Sequence, residues 1–398
     1  MPYRNLTLLL LIVLSCVNSY AATSSSAYIS LEGRHFFENG QWDNQNKNNG
    51  LSLFTELDWV RVKQNNNVDQ EIHFTPFIRY DSIDDERSHA DIREAYWLSK
   101  HNSWEWLIGV NRVFWGVTES RHLVDIINQT DILEDIDGEE KLGQPMVHMR
   151  TNQSWGSLSL YLLPYFRERD YAGDEGRFRT QWLINNDNAQ YQSSKEENHS
   201  DIAIRYSMFM NDWDVGLSYF KGTDREPILL ADTTSQQLVP YYQQVNQFGA
   251  DIQLTRDAWL WKLETIYKSS DIDNFWAGVY GLEYTFYSVA SSDTDIGLLA
   301  EYLYDDRNER SPITQFQNDI FIGMRTTLNN TSDTTILIGG IFDADNNEQF
   351  YSIEAQHRLS NHFKLECNAR IISHASSEQP LNSIKQDSYL EARLFYYF

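Results

Sequence analysis

Along most of the chain, apolar and polar residues alternate with a period of two in runs of about ten, the signature of strands with one apolar face. From Trp213 to Phe220, the residues Trp213, Val215, Leu217 and Tyr219 share one face; Asp214, Gly216 and Ser218 share the other. From Asp295 to Tyr304, Ile296, Leu298, Ala300, Tyr302 and Tyr304 oppose Asp295, Gly297 and Glu301. From Phe363 to Ile371, Phe363, Leu365, Cys367, Ala369 and Ile371 oppose Lys364, Glu366, Asn368 and Arg370. The pattern predicts eighteen strands, at 27–37, 51–63, 71–80, 91–99, 104–114, 145–152, 156–166, 201–210, 213–222, 246–256, 258–268, 276–287, 294–305, 317–327, 334–343, 349–359, 363–373 and 387–398. Strands 145–152 and 334–343 alternate poorly, and in 91–99 Arg93 and Glu94 cannot both face one side of a regular strand.

Alternation alone leaves open a soluble sandwich, with its apolar face inward, and a membrane barrel, with its apolar face toward lipid. Connection length separates them. After even-numbered strands the connections are short, as at Asn211-Asp212 and Ser360-Asn361-His362; after odd-numbered ones several are long, at 38–50, 115–144, 167–200, 223–245 and 374–386. Short turns at one end and long loops at the other is the outer-membrane arrangement. Trp59, Trp104, Trp106, Trp213, Trp259, Trp276, Tyr302, Tyr304 and Tyr396 sit near strand ends on the apolar face, where girdles at the two membrane interfaces fall. The expected fold is an all-β transmembrane antiparallel meander barrel of about 18 strands, 16 being the alternative.

Composition narrows the reading further. The 398 residues carry 57 Asp and Glu against 32 Lys and Arg, a net charge of −25, and no nucleic-acid partner is expected of so acidic a chain. Mean hydropathy is −0.53, unlike a bundle of membrane helices. Residues 1–21 read as a secretory signal: Arg4, an apolar run from Leu6 to Val17, and Ser19-Tyr20-Ala21 before the cleavage point. Residues 22–398 are then one barrel domain, since no hinge or shift of composition divides them. Val13-Leu14-Ser15-Cys16 offers a lipoprotein signal as the rival. Otherwise Cys16 leaves with the leader and Cys367 remains a lone wall residue.

The last strand, with Leu390, Ala392, Leu394, Tyr396 and Phe398 on one face, resembles the terminal strand of Gram-negative outer-membrane proteins. That resemblance implies localisation in the outer membrane among lipid and lipopolysaccharide, with Leu394, Tyr396 and Phe398 as the signal read by the barrel-assembly machinery.

Loop 115–144 holds the most distinctive chemistry. Leu123, Ile126 and Ile127 have helical spacing, and Thr118 is placed to cap a short amphipathic turn. Such a turn would expose Leu and Ile to water unless the loop folds into the barrel mouth. Glu134, Asp135, Asp137, Glu139 and Glu140 follow, and with Asp125 and Asp131 they would make the constriction acidic. Polar faces of the strands place Arg34, Arg79, Arg205, Lys262, Arg325, Arg358, Arg370 and Arg393 opposite, on the lumen wall. This resembles the eyelet of general diffusion porins, in which a transverse field selects solutes. Trp115-Gly116 with Asp125-Ile126-Ile127-Asn128-Gln129-Thr130-Asp131 also resembles a group of proteobacterial outer-membrane barrels, Gln129 standing where those carry Pro.

Other chemistry is sparse. Asp135-Ile136-Asp137-Gly138-Glu139 lacks the length and ligands of a calcium loop, so no metal and no cofactor are expected. Asn198-His199-Ser200-Asp201 would put His199 and Ser200 on opposite faces of a strand, and no nucleophile or phosphate-loop motif occurs; an enzyme is not expected. Arg167, Arg169, Arg177 and Arg179 are candidates for lipopolysaccharide phosphates, and Tyr241 and Tyr242 for stacking on sugars. The expected function is a channel passing small polar solutes with a mild preference for cations, narrowed by loop 115–144. The alternative is a barrel plugged by its own loops, acting as receptor, adhesin or part of an export system. Oligomeric state is open.

Overall fold

The computed structural model describes residues 21–65, 68–377 and 379–398; the expected leader, 1–21, lies outside them except for Ala21, which opens the first strand. Among the described residues, twenty-one strands follow one another. The first seven are β1 (Ala21–Phe36), β2 (Asn49–Asn65), β3 (Val68–Asp81), β4 (Ala90–His101), β5 (Trp104–Asn111), β6 (Gln144–Gln153) and β7 (Gly156–Leu163). After the short β8 (Gln190–Tyr191) come β9 (Asp201–Met210) and β10 (Trp213–Thr223), then β11 (Ile228–Asp232) and β12 (Gln237–Tyr242). The rest are β13 (Gln244–Arg256), β14 (Trp259–Ser269), β15 (Asn274–Phe286), β16 (Asp295–Asp305), β17 (Asn318–Thr327), β18 (Thr335–Asp343), β19 (Gln349–Arg358), β20 (Phe363–His374) and β21 (Tyr389–Tyr397).

All but β8, β11 and β12 join one antiparallel sheet of eighteen strands, each paired to the next in sequence, and β1 pairs with β21 to close it. Closure removes the unpaired edges that lipid would not tolerate. Phe398 exchanges backbone bonds with Ala27 beyond the end of β21. The outward set is apolar, including Leu31, Leu53, Ile108, Ile204, Leu298 and Ile322. Exposed Trp104, Trp106, Trp213 and Trp259 lie near the short-turn end, and Trp276, Tyr302 and Tyr304 near the long-loop end.

Three departures from the sequence expectations concern the strands. First, Arg93 and Glu94 both point inward. The register between β3 and β4 shifts at Thr75/Pro76, so that Glu94 pairs with Thr75 and Ile92 with Pro76. Arg93 is left as the extra residue of a bulge, the usual place for a strand proline. Second, the inner wall of β5 to β17 carries a continuous apolar cluster, through Leu107, Met146, Tyr161, Phe220, Ile266 and Phe321, among its charged residues. That is why a strand such as β6 alternates poorly. Third, residues 223–245 are not a plain loop: β11 and β12 form a hairpin, and β12 pairs in parallel with β8.

Candidate functional site: the lumen and its inserted loop

The connection between β5 and β6, residues 112–143, lies against the inward faces of the barrel. Val124 and Ile127 are fully buried, and Trp115, Leu123 and Ile126 nearly so, in one cluster with the apolar wall of β5 to β17. The expected helical turn does not form and Thr118 caps nothing. The reason is where the backbone donors go. Glu264 of β14 accepts from the N–H groups of Val117 (2.7 Å), Thr118 (3.0 Å) and Val124 (3.2 Å) and from the Thr118 hydroxyl (2.7 Å). Glu301 of β16 accepts from the N–H groups of Glu119 and Ser120, each at 2.8 Å. Wall carboxylates do the work that internal carbonyls do in a helix.

On the opposite side the loop is held by ion pairs. Glu134 receives a two-pronged contact from Arg79 at 2.7 and 2.5 Å. Burial alone would raise the Glu134 carboxyl, but the guanidinium groups of Arg79 and Arg87 outweigh it and hold it at about 2. Arg370 of β20 lies 3.4 Å from Asp135, 2.9 Å from Asp137 and 2.8 Å from Glu354. Asp137 is the less compensated of that loop pair: burial and the neighbouring Asp135 push it up to about 7. His122 sits 2.9 Å from Glu139 and 3.7 Å from Glu264. Burial works against its charged form, yet these two carboxylates raise it to about 10.

The sequence-predicted acids therefore divide. Glu134, Asp135 and Asp131 are buried, and the Asp125 side chain is enclosed beside Lys141 at 3.4 Å. Glu140 is more exposed, 3.6 Å from Arg93. Asp137 and Glu139 reach the cavity described below. The basic wall residues also point inward, and most are paired. Arg34 meets Glu391 at 2.5 Å, Arg205 meets Asp251 at 2.7 Å, and Arg325 meets Glu119 at 2.5 Å. Lys262 lies between Glu119 and Glu283, and Arg393 between Glu32 and Glu391. Arg358 stands exposed at the short-turn end of β19.

Missed from sequence were the acidic wall residues Glu32, Glu264, Glu301 and Glu391 and the basic groups Arg87, Arg93, Arg225 and Arg307. The same alternation that located Arg370 also marks these glutamates as inward; what it could not show is that they face loop donors and arginines.

Two adjoining cavities lie beside the inserted loop. The larger, about 1010 Å³, opens among the long loops and is lined by residues of segments 120–141, 224–229, 307–317 and 377–384. The smaller, about 320 Å³, is a slot between the inserted loop (Glu119, Ser120, Ile136, Asp137) and the inner faces of β17 to β20. Ser120, Ile136, Asp137 and Phe316 border both.

Other candidates are absorbed by the scaffold. Arg177 binds Asp387 at 2.6 Å, and Arg179 donates to the Asp43 carbonyl at 2.6 Å. Arg167 pairs with Asp91 at 3.1 Å, and Arg169 donates to the Arg225 carbonyl at 3.0 Å. All four serve loop packing. Tyr242 is fully buried, stacked with Tyr191 and against Phe166, and is not available to a sugar. His89, Asp131 and Glu134 offer ligand atoms within 4.8 Å of one another, but both Glu134 oxygens already accept from Arg79. His199 bonds Asp201 at 2.9 Å, and Asp201 in turn pairs with Arg225 at 2.8 Å.

No protein-family model matches the chain, and no curated protein does. Solved structures do. OpdO of Pseudomonas aeruginosa aligns over 95% of this chain and 96% of its own, at 8% identity and a TM-score of 0.55. OccD3 (OpdP) of the same organism aligns over 94% and 91%, at 10% identity and 0.52. A mutant of the Rh. blastica porin covers 95% and 100%, at 12% identity and 0.46. The chain thus shares the fold of the OpdO and OccD3 structures, a closed barrel, here an antiparallel meander of eighteen strands with an apolar belt outside.

Proposed function

We propose that this protein is a channel of the Gram-negative outer membrane for small polar solutes, its lumen narrowed by the inserted loop. One observation carries the reading: two adjoining cavities lead from the long-loop mouth to a slot between that loop and β17 to β20. Elsewhere apolar packing and ion pairs hold the loop to the wall, and the pocket on its β1–β3 side, beside Ile132 and Leu133, is only about 40 Å³, so the slot is the wider opening. Glu119, Asp137, Glu139, Asp319, Glu348 and Glu354 border the slot against Arg370, which supports a preference for cations. In this reading Glu134 and Asp135 anchor the loop, and Asp137 and Glu139 supply the field. The outer belt sits in lipid and lipopolysaccharide. Leu394, Tyr396 and Phe398, exposed on that face, are proposed as the contact for the assembly machinery.

The test is solute-driven swelling of liposomes carrying the refolded barrel, with neutral solutes of increasing size. Swelling with the smallest and a sharp size cut-off are expected. A folded, heat-modifiable barrel that passes none of them would instead be a plugged receptor, adhesin or export component.

A further inference from the structure

The slot is not polar on all sides. Its barrel wall carries Phe321, Leu337, Ile341 and Phe350, all from inward positions of β17, β18 and β19, with Phe316 beside them. In β17 and β18, Gly323 and Gly339 face each other in register. A Cβ on Gly339 would fall 2.4 Å from the Phe321 ring, and one on Gly323 2.8 Å from it. The two missing side chains let that ring lie along the wall instead of across the slot.

The same slot is bordered by Asp319 and Glu348, both almost wholly buried. Asp319 stands opposite Asp343 in register, and the Asp343 N–H donates to the Glu348 carbonyl. Among the described residues, no Lys, Arg or His makes an ion pair with these three carboxylates; Asp319 accepts from the Asn318 N–H at 3.1 Å, Glu348 from the Ser376 N–H at 3.0 Å and Asp343 from the Asp345 N–H at 2.7 Å, whereas Glu134 and Asp135 each face an arginine. Buried carboxylates without a counter-charge are costly, and a cation entering the slot supplies one. An aromatic and aliphatic wall beside them favours a cation that carries an apolar body, through ring contact and cation–π attraction. The volume, about 320 Å³, lies at the small end of the range for small-molecule sites, roughly 300–1,000 Å³.

We propose that the slot selects small organic ammonium ions with an apolar body, the ammonium held near Asp319 and Glu348 and the body against Phe321, Leu337 and Ile341. The proposal rests on reading the slot as the passage, and it names the class of solute.

The experiment titrates potassium current through the refolded barrel with benzylammonium, ethanolammonium, benzoate and magnesium. Benzylammonium is expected to reach half-block at a concentration about fivefold below that of ethanolammonium, the factor a single cation–π or ring contact supplies. Benzoate should not block. Glu348→Gln, outside the strands, should weaken block by benzylammonium several-fold. Gly339→Ala, which forces the Phe321 ring into the slot, should do the same while leaving magnesium block unchanged. Equal block by ethanolammonium, stronger block by benzoate or magnesium, or indifference to Glu348→Gln would overturn the proposal. Should the folded barrel carry no current, calorimetry of the same solutes with the barrel in detergent separates the two readings. Preferential benzylammonium binding would keep this proposal and remove the channel; no binding would remove this one.

Discussion

Arg79 of β3 and Glu134 of the inserted loop meet in a fork, Nε to one carboxylate oxygen at 2.7 Å and Nη2 to the other at 2.5 Å, with the Arg79 side chain wholly buried. Its remaining nitrogen reaches Glu32 at 3.0 Å, and Glu32 is shared with Arg87 and Arg393. The loop is thereby pinned to the β1–β4 side by charge, and to the β5–β17 side by apolar packing together with the Glu264 and Glu301 carboxylates and the Glu119–Arg325 pair.

Breaking the fork tests the pin. Glu134→Ala leaves Arg79, Arg87 and Arg93 around an empty position, and loss of one partner of a buried pair costs about 3–5 kcal/mol. Segment 112–143 should become the first site of protease cleavage in the folded barrel, while heat-modifiability of the barrel itself is retained. Cleavage as slow as in the parent chain would contradict the pin.

The apolar side makes its own prediction. Ile127 is fully buried against the wall, and Ile127→Ala should cost about 2–5 kcal/mol through lost contacts and the cavity left behind. Cleavage within 112–143 should again rise, this time without altered sensitivity to salt.

His122 gives a pH dependence of loop docking. Its folded-state value is raised from near 6.5 to about 10 by Glu139 and Glu264, against the effect of burial. The stabilisation is then fully present below about pH 6.5 and lost as pH rises through about 10. Protease resistance of the loop should fall between pH 7 and pH 10.5, and His122→Gln should flatten that difference.

Asp137 gives a pH dependence of selectivity. Burial and Asp135 place its titration at about 7, so it carries a charge at pH 8 and loses it by pH 6. Cation preference should drop over that interval, measured as a smaller reversal potential in a salt gradient. Asp137→Asn should show the lower value at both pH values.

Much of the barrel was legible because lipid imposes one apolar face on every strand, and period two exposes it in Leu217, Tyr302 and Leu394 alike. Legibility failed where the inside is also apolar. Met146 and Tyr161 face the loop, not water, so β6 lost its alternation. It failed again at Arg93, where a one-residue bulge breaks the parity on which face assignment depends. Acids and bases of the lumen could be placed by parity, yet their pairing could not: Glu134 with Arg79 and Asp135 with Arg370 join residues 55 and 235 positions apart. The helical spacing of Leu123, Ile126 and Ile127 misled because Glu264, a distant wall residue, takes the donors a helix would have used.

The most direct test of the channel is single-channel recording of the refolded barrel in a planar bilayer, with the reversal potential read in a potassium chloride gradient at pH 8. Steady conductance with a reversal potential of the sign for cation preference, reduced by Asp137→Asn and Glu139→Gln together, is the expected result. A silent folded barrel, or a reversal potential of anion sign that those substitutions leave unchanged, would contradict a passage running between the inserted loop and β17 to β20.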